Sequence, residues 1–175
     1  MFGDPAIKAT IAATKVVWSA YAGYKKGQLG ESDHAIREEV RRRGEMVRNH
    51  LEPVHDDAHR AEQTELRERI TAAIEACDTF VDEARFSVSH TPMSDHDAGA
   101  KLDKKMVKRL VEHDLATLER LREATQAANR LAEASGRRGH VEEQITLASE
   151  VRQRMIGARN HFSERNMILE GMTRK

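Results

Sequence analysis

The sequence is poor in the residues that usually cross-link, break or shape a fold. It has one cysteine and three prolines in 175 residues, and aromatic residues make up only 4%. The single cysteine, Cys77, excludes an intramolecular disulfide and is typical of a reducing compartment. Enzymes with shaped small-molecule pockets usually contain more aromatic residues. The composition therefore favours a protein that is not an enzyme.

The chain also lacks a net charge and long apolar runs. Its 29 Lys and Arg balance 29 Asp and Glu, whereas nucleic-acid-binding chains are usually basic, so we do not expect a nucleic-acid partner. Lys8 and Lys15 interrupt the one apolar-rich stretch, which argues against a transmembrane span. The first residues do not have the basic and then apolar pattern of a signal peptide. We expect a cytoplasmic protein.

Charged and aliphatic residues are abundant and recur at helical spacing. Charged residues make up 33% of the chain and hydrophobic residues 39%, a composition typical of long helices. The pattern predicts an all-α fold, an antiparallel bundle of three long helices with an N-terminal pair of shorter helices and coiled-coil-like packing. The predicted helices span residues 5–26, 32–51, 53–89, 100–134 and 140–171.

Helix-breaking residues divide the predicted fold into two parts. Pro53 lacks a backbone N–H and should kink or restart the helix there, while Pro92 and Gly99 mark a loop at residues 90–99. We therefore expect an N-terminal amphipathic helix and a second helix within residues 1–51. A three-helix antiparallel bundle should follow at residues 53–171 and form one structural unit with them.

The last predicted helix has the most regular apolar stripe in the chain. Its members recur at steps of three and four residues: Val141, Ile145, Ala148, Val151, Met155, Ala158 and Phe162. This seam is typical of knobs-into-holes packing, and it is richer than a monomer needs at its chain end. It predicts self-association into a homo-oligomer.

A polar ladder offers the clearest candidate for a metal site. At 100° per residue, four side chains fall within an arc of about 80° on one helix: Glu52, His55, His59 and Glu62. Counted back from the loops of an antiparallel bundle, Glu133, His140 and Glu143 should lie level with them, and such a His and Glu set could hold a divalent metal. Alternatively Val54, Ala58 and Ala61 form the buried face, which would leave the histidines at the surface.

The predicted N-terminal helix carries a different candidate, an aromatic face beside basic residues. The face comprises Ile7, Ile11, Trp18, Tyr21 and Tyr24, and the helix contains the only Trp of the chain. A basic amphipathic helix with aromatic residues can lie on an anionic membrane. Alternatively the face docks on the bundle with Trp18 as a buried anchor, or it binds a protein partner.

We therefore expect a non-enzymatic helical interaction or scaffold protein that self-associates through its apolar seams and needs no cofactor. The first alternative is a metal-binding bundle with a divalent ion at residues 52–62. The second is a peripheral membrane protein anchored by its N-terminal helix. A reactive pair of Cys77 and His113 would require the two residues to face each other, and no activating motif accompanies them.

Overall fold

The protein is built from α-helices throughout the part of the chain that the structure describes. The computed structural model describes residues 15–23, 29–86, 104–137 and 140–173. Its helices are α1 (residues 15–23), α2 (Leu29–Arg60), α3 (Thr64–Phe86), α4 (Lys104–Gly136) and α5 (Val141–Thr173). None of the helices in these ranges combines the length and the apolar character needed to cross a bilayer.

The four long helices pack as a closed ring in the order α2, α3, α5, α4. Residues 61–63 join α2 to α3 and residues 137–140 join α4 to α5, so each pair is an antiparallel hairpin. The ion pair between Arg159 and Glu83 joins the late turns of α5 and α3, which therefore run parallel. This arrangement leaves α2 and α5 diagonally opposed across the core.

The all-α bundle is confirmed, but its helices divide differently from the prediction. The expected restart of the helix at Pro53 is wrong, because Pro53 lies inside α2, which continues to Arg60. Pro53 is on the exposed side of α2, where the backbone carbonyl left without a donor can bond to water. Leu51 and Val54 on either side of it are both buried. Their burial attaches α2 to the core on both sides of Pro53.

The chain turns after α2 at Glu62, a residue type that does not usually indicate a turn. Glu62 has a φ of 56°, in the left-handed region that helix ends usually give to glycine. The backbone N–H of Gln63 donates to the carbonyl of Ala58 at 2.9 Å, and that of Glu62 donates to His59 at 3.1 Å. These two bonds form a Schellman motif, so Glu62 ends the helix through its backbone.

The apolar seam of α5 is buried inside the single chain. Val151, Met155 and Phe162 have almost no exposed surface, and the Phe162 ring packs edge-on against Phe80 of α3 at 5.9 Å between centroids. The same core includes Val17 and Ala20 of α1. The seam therefore already has partners within the monomer.

Candidate metal centre

Two histidines and a glutamate meet where α4 and α5 face each other. His113 belongs to α4, and His161 and Glu164 share one face of α5 because they are three residues apart. One potential ligand atom from each residue lies within 4.8 Å of the other two. It is the one group of three such residues that the described parts of the chain bring this close together.

The hydrogen bond of His113 fixes which of its nitrogens is available. The two rings stack at 4.1 Å between centroids with 17° between their planes. Nε2 of His113 lies 2.8 Å from the backbone oxygen of His161. A carbonyl oxygen can only accept, so Nε2 carries the hydrogen and the neutral ring keeps its lone pair on Nδ1.

Two nitrogens of this pair are buried without a hydrogen-bond partner among the described residues, His113 Nδ1 and His161 Nε2. His113 as a whole is only 8% exposed. The carboxylate of Asp114 is 3.9 Å from His113 Nδ1, too far for a hydrogen bond. A buried polar atom without a partner costs about 1–3 kcal/mol. The pair therefore lowers the stability of the fold unless a ligand binds to these nitrogens.

Burial also keeps His161 in its neutral form. It lowers the pKa of the imidazole below the ordinary value of 6.5, and the neighbouring His113 and the charge of Arg120 lower it further. Only an unprotonated ring nitrogen can bind a metal ion. His161 is therefore a ligand that protons compete for only weakly at neutral pH.

A fully paired polar cluster lies next to the histidines and anchors them. Arg165 of α5 is 0% exposed. Its guanidinium donates to Asp114 of α4 at 2.7 Å and to Asp33 of α2 across the diagonal of the bundle. Arg37 donates to the other oxygen of Asp33 at 2.8 Å and to Asn166 at 2.9 Å. This Arg165 cluster ties α2, α4 and α5 together beside the candidate site.

The predicted ladder on α2 does not converge into a site. The alternative face is the buried one, with Val54 3% and Ala58 2% exposed. His55 is half-buried, while Glu52 and His59 are exposed. Glu52 pairs with Arg48, and His59 Nδ1 lies 3.0 Å from an Arg67 nitrogen.

The other residues expected to complete the ladder are also at the surface. Glu62 is exposed and serves the turn after α2, while Glu133, His140 and Glu143 are exposed at the turn between α4 and α5. None of them belongs to the group of converging ligand atoms found in the described ranges. The ladder supplies polar surface at this end of the bundle.

The aromatic face of the N-terminal helix is described only in part, since Ile7, Ile11 and Tyr24 lie outside the described residues. Trp18 is 62% exposed and does not act as a buried anchor. Tyr21 is half-buried, and its ring meets Trp18 edge-on at 6.0 Å. The expected docking of α1 occurs through Val17 and Ala20, and Tyr21 of the predicted face packs against the same core.

The remaining candidate for chemistry, Cys77, has the properties of a core residue. It is fully buried in α3, and burial raises the pKa of its thiol to about 12. A thiol with such a pKa stays protonated at neutral pH and is a poor nucleophile. His113 faces α5, where its hydrogen bond and its stacking partner both lie.

Several basic side chains of the described helices form ion pairs with acids. Arg41, Arg42 and Arg43 pair with neighbouring glutamates of α2. A groove of about 570 Å³ along α4 and α5 is lined by charged and amide side chains. Its Arg130 and Arg154 both bind Glu150. Neither feature offers an uncommitted cationic pocket.

Comparisons of the chain with models of protein families, with characterised proteins and with solved structures gave no match. The site geometry therefore carries the functional argument without help from relatives.

Reasoning from sequence missed His161 and Glu164, although a signal for them exists. α4 ends at Gly136 and α5 begins at Val141, and His113 and His161 are almost equally far in sequence from this connection. Residues at equal distances from a hairpin turn face each other in antiparallel helices. Combined with the i, i+3 spacing of His161 and Glu164, this register would have identified the group.

Proposed function

We propose that this protein is a metal-binding helical bundle that holds one divalent transition-metal ion between His113, His161 and Glu164. The observation that carries the proposal is the pair of buried ring nitrogens without partners beside a carboxylate. A metal ion would supply the missing partner for both nitrogens. It would also account for a stacked pair of histidines in which His113 is buried and His161 is half-buried.

The donor set selects the class of ion. Two imidazoles and one carboxylate suit borderline ions such as Zn²⁺, whereas Ca²⁺ and Mg²⁺ prefer all-oxygen sites. Metal-binding histidines usually donate their second ring N–H to a carbonyl or carboxylate, which fixes the ring. His113 already makes such a bond to the His161 backbone. Three protein ligands leave at least one coordination position for water.

Binding requires a small rearrangement of the side chains. Tetrahedral Zn²⁺ with bonds of about 2.0–2.1 Å holds its ligand atoms about 3.4 Å apart, closer than the 4.8 Å limit within which these atoms lie. The stacked rings must also turn so that their lone pairs converge. His113 is held by its hydrogen bond, so His161 and the exposed Glu164 make most of the movement.

Calorimetric titration of chelator-treated protein with Zn²⁺ tests the proposal. The wild-type chain is expected to bind one ion. His161→Ala removes one ligand and should weaken binding by at least about tenfold, and Glu164→Gln should also weaken it, since each removes a metal bond. Glu164 is exposed, so its substitution leaves the packing intact.

The double variant His55→Ala/His59→Ala is the matched control, because it removes two histidines from the ladder on α2. It should bind Zn²⁺ as the wild-type chain does. Circular dichroism checks that every variant remains helical. The proposal fails if the wild-type chain binds no Zn²⁺, or if the control loses binding while His161→Ala keeps it.

The expected self-association and coiled-coil-like packing stay predictions. Their main support was the seam of α5, and most of that seam is buried against the chain's own helices. Light scattering of the purified protein tests the expected homo-oligomer.

A further inference from the structure

The described part of α1 holds an exposed tryptophan on a helix that is itself fixed to the bundle. Val17 and Ala20 are 2% and 3% exposed and belong to the common core. Trp18, between them in sequence, is 62% exposed and points away from that core. Exposing a large aromatic ring to water is unfavourable. A surface that covers it is therefore the natural explanation.

The charge of the surrounding sequence indicates what kind of surface this is. Residues 5–30 contain four lysines (Lys8, Lys15, Lys25 and Lys26) and no Asp or Glu. The rest of the chain has 25 Lys and Arg against 29 Asp and Glu, a net charge of −4. In the sequence, the positive charge is thus concentrated on either side of Trp18, and the described Lys15 is exposed one turn before it.

We propose that α1 attaches the protein to an anionic lipid surface, with Trp18 at the level of the headgroups and Lys15 against the lipid phosphates. Tryptophan favours the membrane–water interface because its ring is apolar and its N–H is polar. Lysines near such a surface are attracted by its negative potential. This proposal does not depend on metal binding.

A protein partner fits the same surface less well. The exposed neighbours of Trp18 on α1 are Lys15, Ser19 and Ala22, which are small or charged. Stable protein interfaces surround their aromatic anchors with a broad, well-packed patch. A membrane interface needs only the ring and the cations.

Trp18 is the only tryptophan of the chain, so its fluorescence reports on this surface alone. The full chain, kept in chelator, is mixed with vesicles of phosphatidylcholine or of phosphatidylcholine with phosphatidylserine. We expect the emission to shift to shorter wavelengths with the anionic vesicles, and to return when salt is added. Affinity for the anionic vesicles should be at least about tenfold higher than for the neutral ones, because the attraction is electrostatic.

Two variants and their matched controls locate the contact. In vesicle flotation, Lys15→Glu should weaken binding by about tenfold, because one attractive charge becomes repulsive, and Trp18→Ala should also weaken it. Lys104→Glu and Met167→Ala change a comparable exposed lysine and an apolar residue that is 65% exposed. Both controls should bind as the wild-type chain does.

Several outcomes would overturn the proposal. One is an emission that does not shift with anionic vesicles, and another is equal binding to neutral and anionic vesicles. A third is a shift without lipid that grows with protein concentration together with a doubled mass in light scattering. That result would assign the surface to a second copy of the chain.

Discussion

Two regions of this bundle contain histidines beside acidic residues, and they differ in burial. On α2, Glu52 and His59 lie in water, where their hydrogen-bonding groups can bond to solvent. Between α4 and α5, His113 Nδ1 and His161 Nε2 are buried without a partner in the described structure. The first region has the more regular spacing in the sequence. The second has the buried ring nitrogens that lack hydrogen-bond partners within the described part of the chain.

The difference shows that ligand spacing in the sequence indicates a metal site less well than the presence of buried polar atoms without hydrogen-bond partners. An exposed histidine at i, i+4 spacing costs nothing and requires no ligand. A buried histidine must find a partner, because losing water without compensation is costly. The Arg165 cluster satisfies this rule within the chain, and the neighbouring histidines do not.

The largest expected effect comes from breaking the cluster that supports the buried site. Arg165→Met leaves the buried carboxylate of Asp114 without its cation and Asp33 with Arg37 alone, which should lower the free energy of unfolding by about 3–5 kcal/mol. Urea unfolding followed by circular dichroism measures it. Arg122→Met removes an exposed pair with Glu119 and should cost below about 1 kcal/mol. Equal losses in the two variants would show that the cluster is not structurally important.

Zn²⁺ should stabilise the bundle through the buried region and not through the ladder. At a free concentration of about 100 times Kd, binding to the folded state adds about 2.7 kcal/mol to the free energy of unfolding. Urea unfolding in Zn²⁺ and in chelator measures this gain. His161→Ala should abolish it, and His55→Ala/His59→Ala should keep it. The opposite result would move the metal to α2.

The metal-free protein should lose stability in mild acid because of His161. Its pKa is lower folded than unfolded, so between that lowered pKa and 6.5 the unfolded chain binds more protons. The contribution is therefore fully present above pH 6.5 and is lost as the pH falls below it. Unfolding in chelator at several pH values should show a shallower decline for His161→Gln, while the exposed His59→Gln keeps the wild-type slope.

The smallest expected effect tests the structural role of the ladder. Glu62→Gly relieves a left-handed backbone conformation that only glycine adopts freely, so it should raise the free energy of unfolding by about 1 kcal/mol. Zn²⁺ affinity should not change. Loss of stability would show that the Glu62 side chain, and not its backbone, holds the turn.

The fold class and most of the core followed from the sequence because burial follows helical periodicity. The apolar stripe of α5 that includes Val151, Met155 and Phe162 is buried, as its helical spacing predicts. The helix boundary predicted at Pro53 is absent from the structure. A helix can tolerate a proline on its exposed face when buried residues on both sides pack against the core. The real turn falls at Glu62, a residue type that gives no turn signal.

The candidate site was less accessible from sequence, since it depends on which helices pair and in what register. In the sequence, His113 is considered only as a possible reactive partner of Cys77. His161 and Glu164 became candidate ligands because the hairpin of α4 and α5 places them next to His113. Arg165 is likewise an ordinary charged residue in the sequence, and the diagonal contact to Asp33 requires the closed ring of four helices.

The most direct test of the metal site is a long-range ¹H–¹⁵N spectrum of the histidine rings, recorded without and with Zn²⁺. Without metal, the His113 ring should carry a hydrogen on Nε2, which donates to the His161 backbone carbonyl. Addition of Zn²⁺ should shift ring nitrogens of His113 and His161 and leave His55 and His59 unchanged. A spectrum in which Zn²⁺ shifts only His55 and His59, or no histidine at all, would contradict the account.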